Sequence, residues 1–133
     1  MKIEIEKPIA LRLEVIETDD HVPSMRVSAK IVVTQFQHAF SYDGTLWFEC
    51  EKWDGFTQSL MAPLSEEIAL SDINGNFMLV LRKTDEGLSL IWKYAKADIG
   101  NNCRRLEIAF TSAIDDDMLS KIRDEFREFP VWW

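Results

Sequence analysis

The chain has 133 residues, 47% of them hydrophobic, and a formal net charge of −8. This length and apolar content suit one ordinary domain, residues 1–133, with a core of its own, and they argue against intrinsic disorder. The acidic excess is spread out, with 6 basic and 11 acidic side chains in residues 1–66 and 9 and 12 in residues 67–133. No basic stripe is present to neutralise phosphates, which disfavours nucleic acid and anionic membrane surfaces and favours a basic protein partner.

In chain order, MKIEIEKPIALRLEVIE alternates charged with apolar residues. Ile3 and Ile5 predict a first strand, Pro8 interrupts it, and Leu11, Leu13 and Val15 predict a second. The same stretch lacks the continuous apolar region of a signal peptide, and no run approaches the roughly 20 apolar residues of a membrane span, so a cytoplasmic location is expected. The segment ETDDHVPS reads as a loop. Met25, Val27, Ala29, Ile31 and Val33 then alternate with more polar positions, a long strand expected to continue through FQHAFSY, with a hairpin turn at Asp43-Gly44 and a returning strand over Thr45–Glu49. In CEKWDGFTQSLMAPL the period changes. Trp53, Phe56, Leu60 and Met61 share one face of a helix that Pro63 ends.

The second half reads as a meander. Strands are expected over Ile68–Ile73, Phe77–Lys83, Leu88–Ala95 and Arg104–Thr111, with a type I′ turn at Asn74-Gly75, a turn at Asp85-Glu86-Gly87 and a polar loop KADIGNN. A final helix buries Met118, Leu119, Ile122 and Phe126. Ser112 is its expected cap, with Asp115 three residues on, and Asp115, Asp116 and Asp117 lie in its first turn. Hairpin connections dominate. The expected fold class is therefore α+β: a mainly antiparallel, curved meander sheet of about six to eight strands with a short middle helix and a C-terminal helix.

Few residues advertise chemistry. Cys50 and Cys103 are too few for a disulfide framework and lack metal-site spacing, which leaves them as small apolar fillers. Glu49 and Glu51 flank Cys50 and oppose thiolate formation, whereas Arg104 and Arg105 adjoin Cys103. The Asp115–Asp117 run matches helix-start electrostatics better than a calcium loop, whose later ligands are missing. Asp19-Asp20-His21 sits where turn residues are expected, and His38 falls in a strand. No glycine-rich phosphate loop, nucleophile elbow or paired-cysteine motif occurs, and no cofactor or metal is expected. Trp47, Trp53 and Trp92 fall on core periodicities. The chain closes on EFREFPVWW, and its two tryptophans, Trp132 and Trp133, are expected either to pack on an end of the sheet or to contact a partner.

The strand-to-helix passage TLWFECEKWDGFTQSL, the meander ALSDINGNFMLVLRKTDEGLSLIWKY, the strand RRLEIAFTS and the D-x-x-x-L-x-x-I-x-x-x-F helix together resemble the WapI-type immunity proteins, small bacterial proteins of polymorphic toxin systems. The resemblance covers residues 9–129 in order of elements. It is specific in sequence for Trp47–Leu60 and looser over Phe77–Trp92 and Leu106–Phe126. It implies no catalytic motif. It implies a non-enzymatic binding protein that neutralises a toxin domain by direct contact. The expected partner-binding residues are the acidic Glu14, Glu17, Asp19, Asp20, Glu49, Glu51 and Asp54 with the aromatic Trp53, Trp132 and Trp133. The alternatives are a small-ligand binder or enzyme using the concave sheet face, or a structural homodimer.

Overall fold

The computed structural model describes residues 1–98, 100 and 103–133. Its elements are β1 (Lys2–Ile5), β2 (Ala10–Asp19), β3 (Ser24–Gln35), β4 (His38–Glu49), α1 (Cys50–Met61), β5 (Glu67–Ser71), β6 (Phe77–Thr84), β7 (Gly87–Ala97), β8 (Arg105–Ile114) and α2 (Asp116–Glu128). The class is α+β, as expected, but the strands form two antiparallel sheets instead of one. β1-β2-β3-β4 make the first and β5-β6-β7-β8 the second. The sheet breaks where β4 passes into α1, because a helix inserted there leaves β5 no strand edge of β4 to continue. Each sheet then has an apolar face to bury, and the two faces and the helices share one core. Leu11, Leu13, Val27, Ile31 and Phe48 come from the first sheet, and Leu70, Phe77, Leu79, Leu90 and Trp92 from the second.

One turn lies away from its expected place and a second takes a different form. The β3–β4 hairpin turns at Phe36 and Gln37, both at positive φ (54° and 66°), with Gln35 paired to His38. Asp43-Gly44 lies inside β4 instead, where Gly44 pairs with Ala29. The Tyr42 ring lies across Gly44 so closely that a Cβ there would overlap it. The glycine is needed for this ring and not for a turn. Tyr42 thereby reaches the other sheet, 4.6 Å from Tyr94 and 6.0 Å from Trp92 between ring centroids. Asn74-Gly75 does turn the chain, but within a five-residue loop after β5, and only Gly75 takes positive φ (71°). Buried Asp72 organises that loop. Its Oδ1 accepts from the Phe77 N–H at 2.9 Å, its carbonyl accepts from the Gly75 N–H at 3.1 Å, and the neighbouring Ile73 N–H donates to the Trp47 carbonyl at 2.8 Å. Of the expected loop KADIGNN, Ile99, Asn101 and Asn102 lie outside the described residues.

Both helices appear where periodicity places them. In α1 the buried residues are Cys50, Trp53, Phe56 and Leu60. In α2 they are Leu119, Ile122 and Phe126. The cap of α2 is Asp115 and not Ser112, because β8 runs on to Ile114. The Asp115 Oδ1 accepts from the Met118 N–H at 2.8 Å. α1 has no basic residue in its last turn. Its C-terminal carbonyls are met from α2, where Arg123 donates to the Leu60 carbonyl at 2.8 Å and to the Ala62 carbonyl at 3.3 Å. Trp92 and Trp53 are core residues as expected. Trp47 is not, since it alternates away from Leu46 and Phe48 and stays half-exposed.

Two glycines make a controlled comparison. Gly44→Ala is expected to displace the Tyr42 ring and cost about 1–3 kcal/mol by overpacking. Gly55→Ala, on the exposed side of α1 with nothing within 4 Å of a new Cβ, is expected to stabilise by about 0.5–1 kcal/mol. Thermal melts of the two variants against the parent chain read both signs.

Candidate functional site

The site forms where β4 becomes α1. Backbone bonds fix this junction: the Cys50 N–H donates to the Pro23 carbonyl at 2.8 Å, which holds the β2–β3 turn against the start of the helix. A cleft of about 570 Å³ opens there, lined by Val22 and Pro23 of that turn, by Glu49, Cys50, Glu51, Asp54, Gly55 and Gln58, and by Trp133 of the tail. Three carboxylates line it, and its described lining residues include no lysine or arginine. A cationic group entering the cleft gains Coulomb energy while its hydration is only partly removed.

The strand register extends this acidic edge. Asp19, Ser24 and Glu49 stand in one line across β2, β3 and β4, and Glu17, Arg26 and Trp47 stand in the next line on the same face. Glu17 is held by Arg26 at 3.1 Å, and Asp19 accepts from the His21 N–H at 2.9 Å. Asp20 is exposed at the turn between them. Glu14 stands one line further along the same face, opposite Ser28, paired with Arg12 at 3.0 Å. Of the expected partner-binding acids, the structure therefore gathers Glu49, Glu51 and Asp54 around one cleft with Asp19 and Asp20 on the adjoining turn. Glu17 stands beside them and Glu14 one line further from the cleft, both with their charges compensated.

The three expected aromatic anchors separate in the same way. Trp53 is 2% exposed and has no surface to offer. It is wedged 5.6 Å from Phe48, 5.4 Å from Phe126 and 4.9 Å from Phe129. Trp132 and Trp133 are half-buried and pack against the core, edge to face with each other at 5.4 Å. The Trp133 indole N–H donates to Asp54 Oδ2 at 2.6 Å, a bond to a carboxylate of the kind that is stronger than a neutral one. The tail thus answers the question its sequence raises by packing on the chain's own helix while leaving one ring at the margin of the acidic cleft. Glycine and proline patterns offered no sign that the β2–β3 turn would join this site. Val22 and Pro23 enter it by tertiary proximity alone, whereas Gly55 and Gln58 follow Glu51 and Asp54 by one helical turn.

Cys50 lines the cleft but is fully buried as a residue. Burial, and then the Asp54 charge, push its thiol up from 9.0 to about 11. It is a neutral thiol at physiological pH, a poor nucleophile. Cys103 is exposed, with a φ of 45°. Among the described residues no group of three or more His, Cys, Asp or Glu side chains is arranged to hold a metal ion, and no helix is long and apolar enough to cross a membrane. No family profile, curated protein or solved structure matches this chain.

The cysteines give a direct check. In the folded protein at pH 8, one thiol, Cys103, is expected to react promptly with a disulfide reagent, and Cys50 only on unfolding. Because the folded-state pKa of Cys50 is raised, its contribution to stability is present below about pH 9 and is lost as pH rises toward 11. Denaturant titrations across that window are expected to show a fall that Cys50→Ser reduces.

Proposed function

We propose that this chain is a non-enzymatic binding protein that captures a basic protein partner through the acidic cleft at the β4–α1 junction. The observation that carries the reading is the convergence of Glu49, Glu51 and Asp54 with the Asp19–Asp20 turn around one cleft whose lining includes no described cation. Among the described residues the carboxylates of Asp19, Asp20, Glu49, Glu51 and Asp54 make no salt bridge, whereas those of Glu14 and Glu17 pair with Arg12 and Arg26. Clustered and uncompensated ones repel each other, and a cationic partner relieves that cost while being steered in during encounter.

The resemblance to the WapI-type immunity proteins supplies a specific form of this reading, in which the partner is a toxin domain and its neutralisation is the function. The toxin identity rests on that resemblance, as read from the sequence. A small-ligand site on the inward sheet faces is disfavoured, because those faces are consumed by one another: Leu13, Ile31, Leu79 and Trp92 are each about 1% exposed.

The test uses substitutions that spare the tail contact. Asp20→Lys with Glu51→Lys changes two exposed side chains and leaves the Asp54–Trp133 bond in place. Capture of the partner from the source organism is expected to fall at least about tenfold, chiefly through slower association, with an unchanged melting temperature. Raising the salt should weaken the parent's capture in the same direction. Full capture by the double variant would remove this cleft from the interface.

A further inference from the structure

Sheet edges invite pairing; here helices cover β1 and β5, and β4 is engaged at its α1 end. β1 is covered by α2, whose Glu125 Oε1 accepts from the outward-facing Glu4 N–H at 2.6 Å. β5 lies against α1. β4 carries α1 at its end and has its Trp47 carbonyl taken by the Ile73 N–H. β8 is different. It is a full ten-residue edge strand in unbroken register with β7, from Arg105 opposite Ala97 to Ile114 opposite Leu88, with no bulge, proline or lysine. Among the described residues its main-chain bonding is to β7, and no helix is packed along its outer side. Residues Ile108–Ile114 carry no charge, and Leu106, on the core-facing parity of the strand, is 54% exposed.

The ends of the strand decide which occupant fits. Arg104 precedes it and Arg105 begins it, and Asp115, Asp116 and Asp117 follow it. We propose that β8 pairs antiparallel with β8 of a second copy of this chain, about a two-fold axis at Phe110, to form a homodimer with one continuous eight-stranded sheet. In an antiparallel pair, residues directly opposite share a face, and about a two-fold at Phe110 their numbers sum to a constant. Arg105 then stands opposite Asp115 of the second copy, which is still extended where it caps α2, so that opposite charges meet at both ends. Leu106 faces Ile114, Ile108 faces Ser112, Ala109 faces Thr111, and Glu107 meets uncharged Ala113. No like charges oppose each other. The exposed Leu106 gains a cover, and the strand's outward N–H and C=O groups gain partners.

An unrelated extended peptide would satisfy the same backbone groups but would not be selected by this basic-to-acidic polarity. The polarity is self-complementary only in the antiparallel sense. The present exposed bridges, Arg104 to Asp98 and Arg105 to Glu107, are weak surface pairs that exchange at little cost. Because the two-fold uses the same edge of both copies, the pairing closes at two copies and does not propagate. The interface uses a different surface from the acidic cleft, so it stands or falls independently of the partner proposed there.

Sedimentation of the full chain at tens of micromolar is expected to give twice the 15.5 kDa chain mass. Hydrogen exchange is expected to show β8 amides becoming protected as concentration rises. Ala109→Glu with Thr111→Glu places carboxylates opposite each other across the axis and should raise the dissociation constant tenfold or more. Ala109→Glu with Thr111→Lys places opposite charges there and should keep the dimer. Both positions are exposed in the single chain, and circular dichroism checks that each variant folds. A chain that sediments as a monomer overturns the proposal. So does a dimer that both variants leave intact, and so does β8 protection that appears only when another protein is added.

Discussion

The first sheet passes into α1 without a connecting loop, and Trp53 in the first turn of that helix keeps the passage in place. Its ring touches Phe48 of β4, Phe126 of α2 and Phe129 beyond it, while Phe48 stands edge-on to Phe77 of β6 at 5.6 Å. One aromatic chain therefore links both sheets and both helices. Ring pairs of this kind contribute beyond the apolar area they bury, and their edge-to-face geometry restricts the angles at which the elements meet. Without this packing, α1 would have no fixed direction relative to β4. The acidic residues on its exposed side would then have no fixed position relative to the β2–β3 turn.

The cleft follows from the same junction. Glu49 ends β4, Cys50 begins α1, and the backbone bond from Cys50 to Pro23 draws the turn alongside. Burial of Trp53, Phe56 and Leu60 on one side of the helix leaves Glu51 and Asp54 on the other. The tail closes one margin, since Phe129 enters the core and Trp133 reaches Asp54. Core and site are thus two faces of one short helix. A site built from core supports in this way needs no motif of its own.

The helices also settle which edges of the sheets are open. α2 reaches across to cap α1 through Arg123 and to block β1 through Glu125. Both residues are charged, and both bond to backbone groups far away in sequence. β8 receives no such cover from the described elements. Its neutral centre and oppositely charged ends are consistent with a role for the edge itself.

Much of the fold was legible in the sequence. Period-two alternation located the strands, and the spacing of Trp53, Phe56 and Leu60 located α1. The stripe of Leu119, Ile122 and Phe126 located α2. These patterns are local consequences of burying one face, so they are readable without knowing what lies opposite. The acids of the candidate site were readable as a set, though not which of them converge. Turn chemistry was less readable. Asp43-Gly44 has the composition of a hairpin turn, yet the chain turns at Phe36-Gln37, and Gly44 serves the Tyr42 ring. Residues with positive φ are chosen there by the register of twelve paired positions, a cumulative energy that outweighs the local preference of two residues.

What the sequence by itself determined is the inventory: an acidic single chain, eight strands' worth of alternating pattern, two amphipathic helices and a pair of terminal tryptophans. What only the tertiary structure decided is their partnership. It split the strands into two sheets, sent Trp53 inward and Trp47 outward, separated Glu14 from Glu49, Glu51 and Asp54, and set Trp133 on Asp54. The physical reason is that alternation specifies which side of an element is apolar, a property of neighbours in the chain. Which apolar side covers which, and which charges are left facing one another, is fixed by packing between residues as far apart as Asp54 and Trp133.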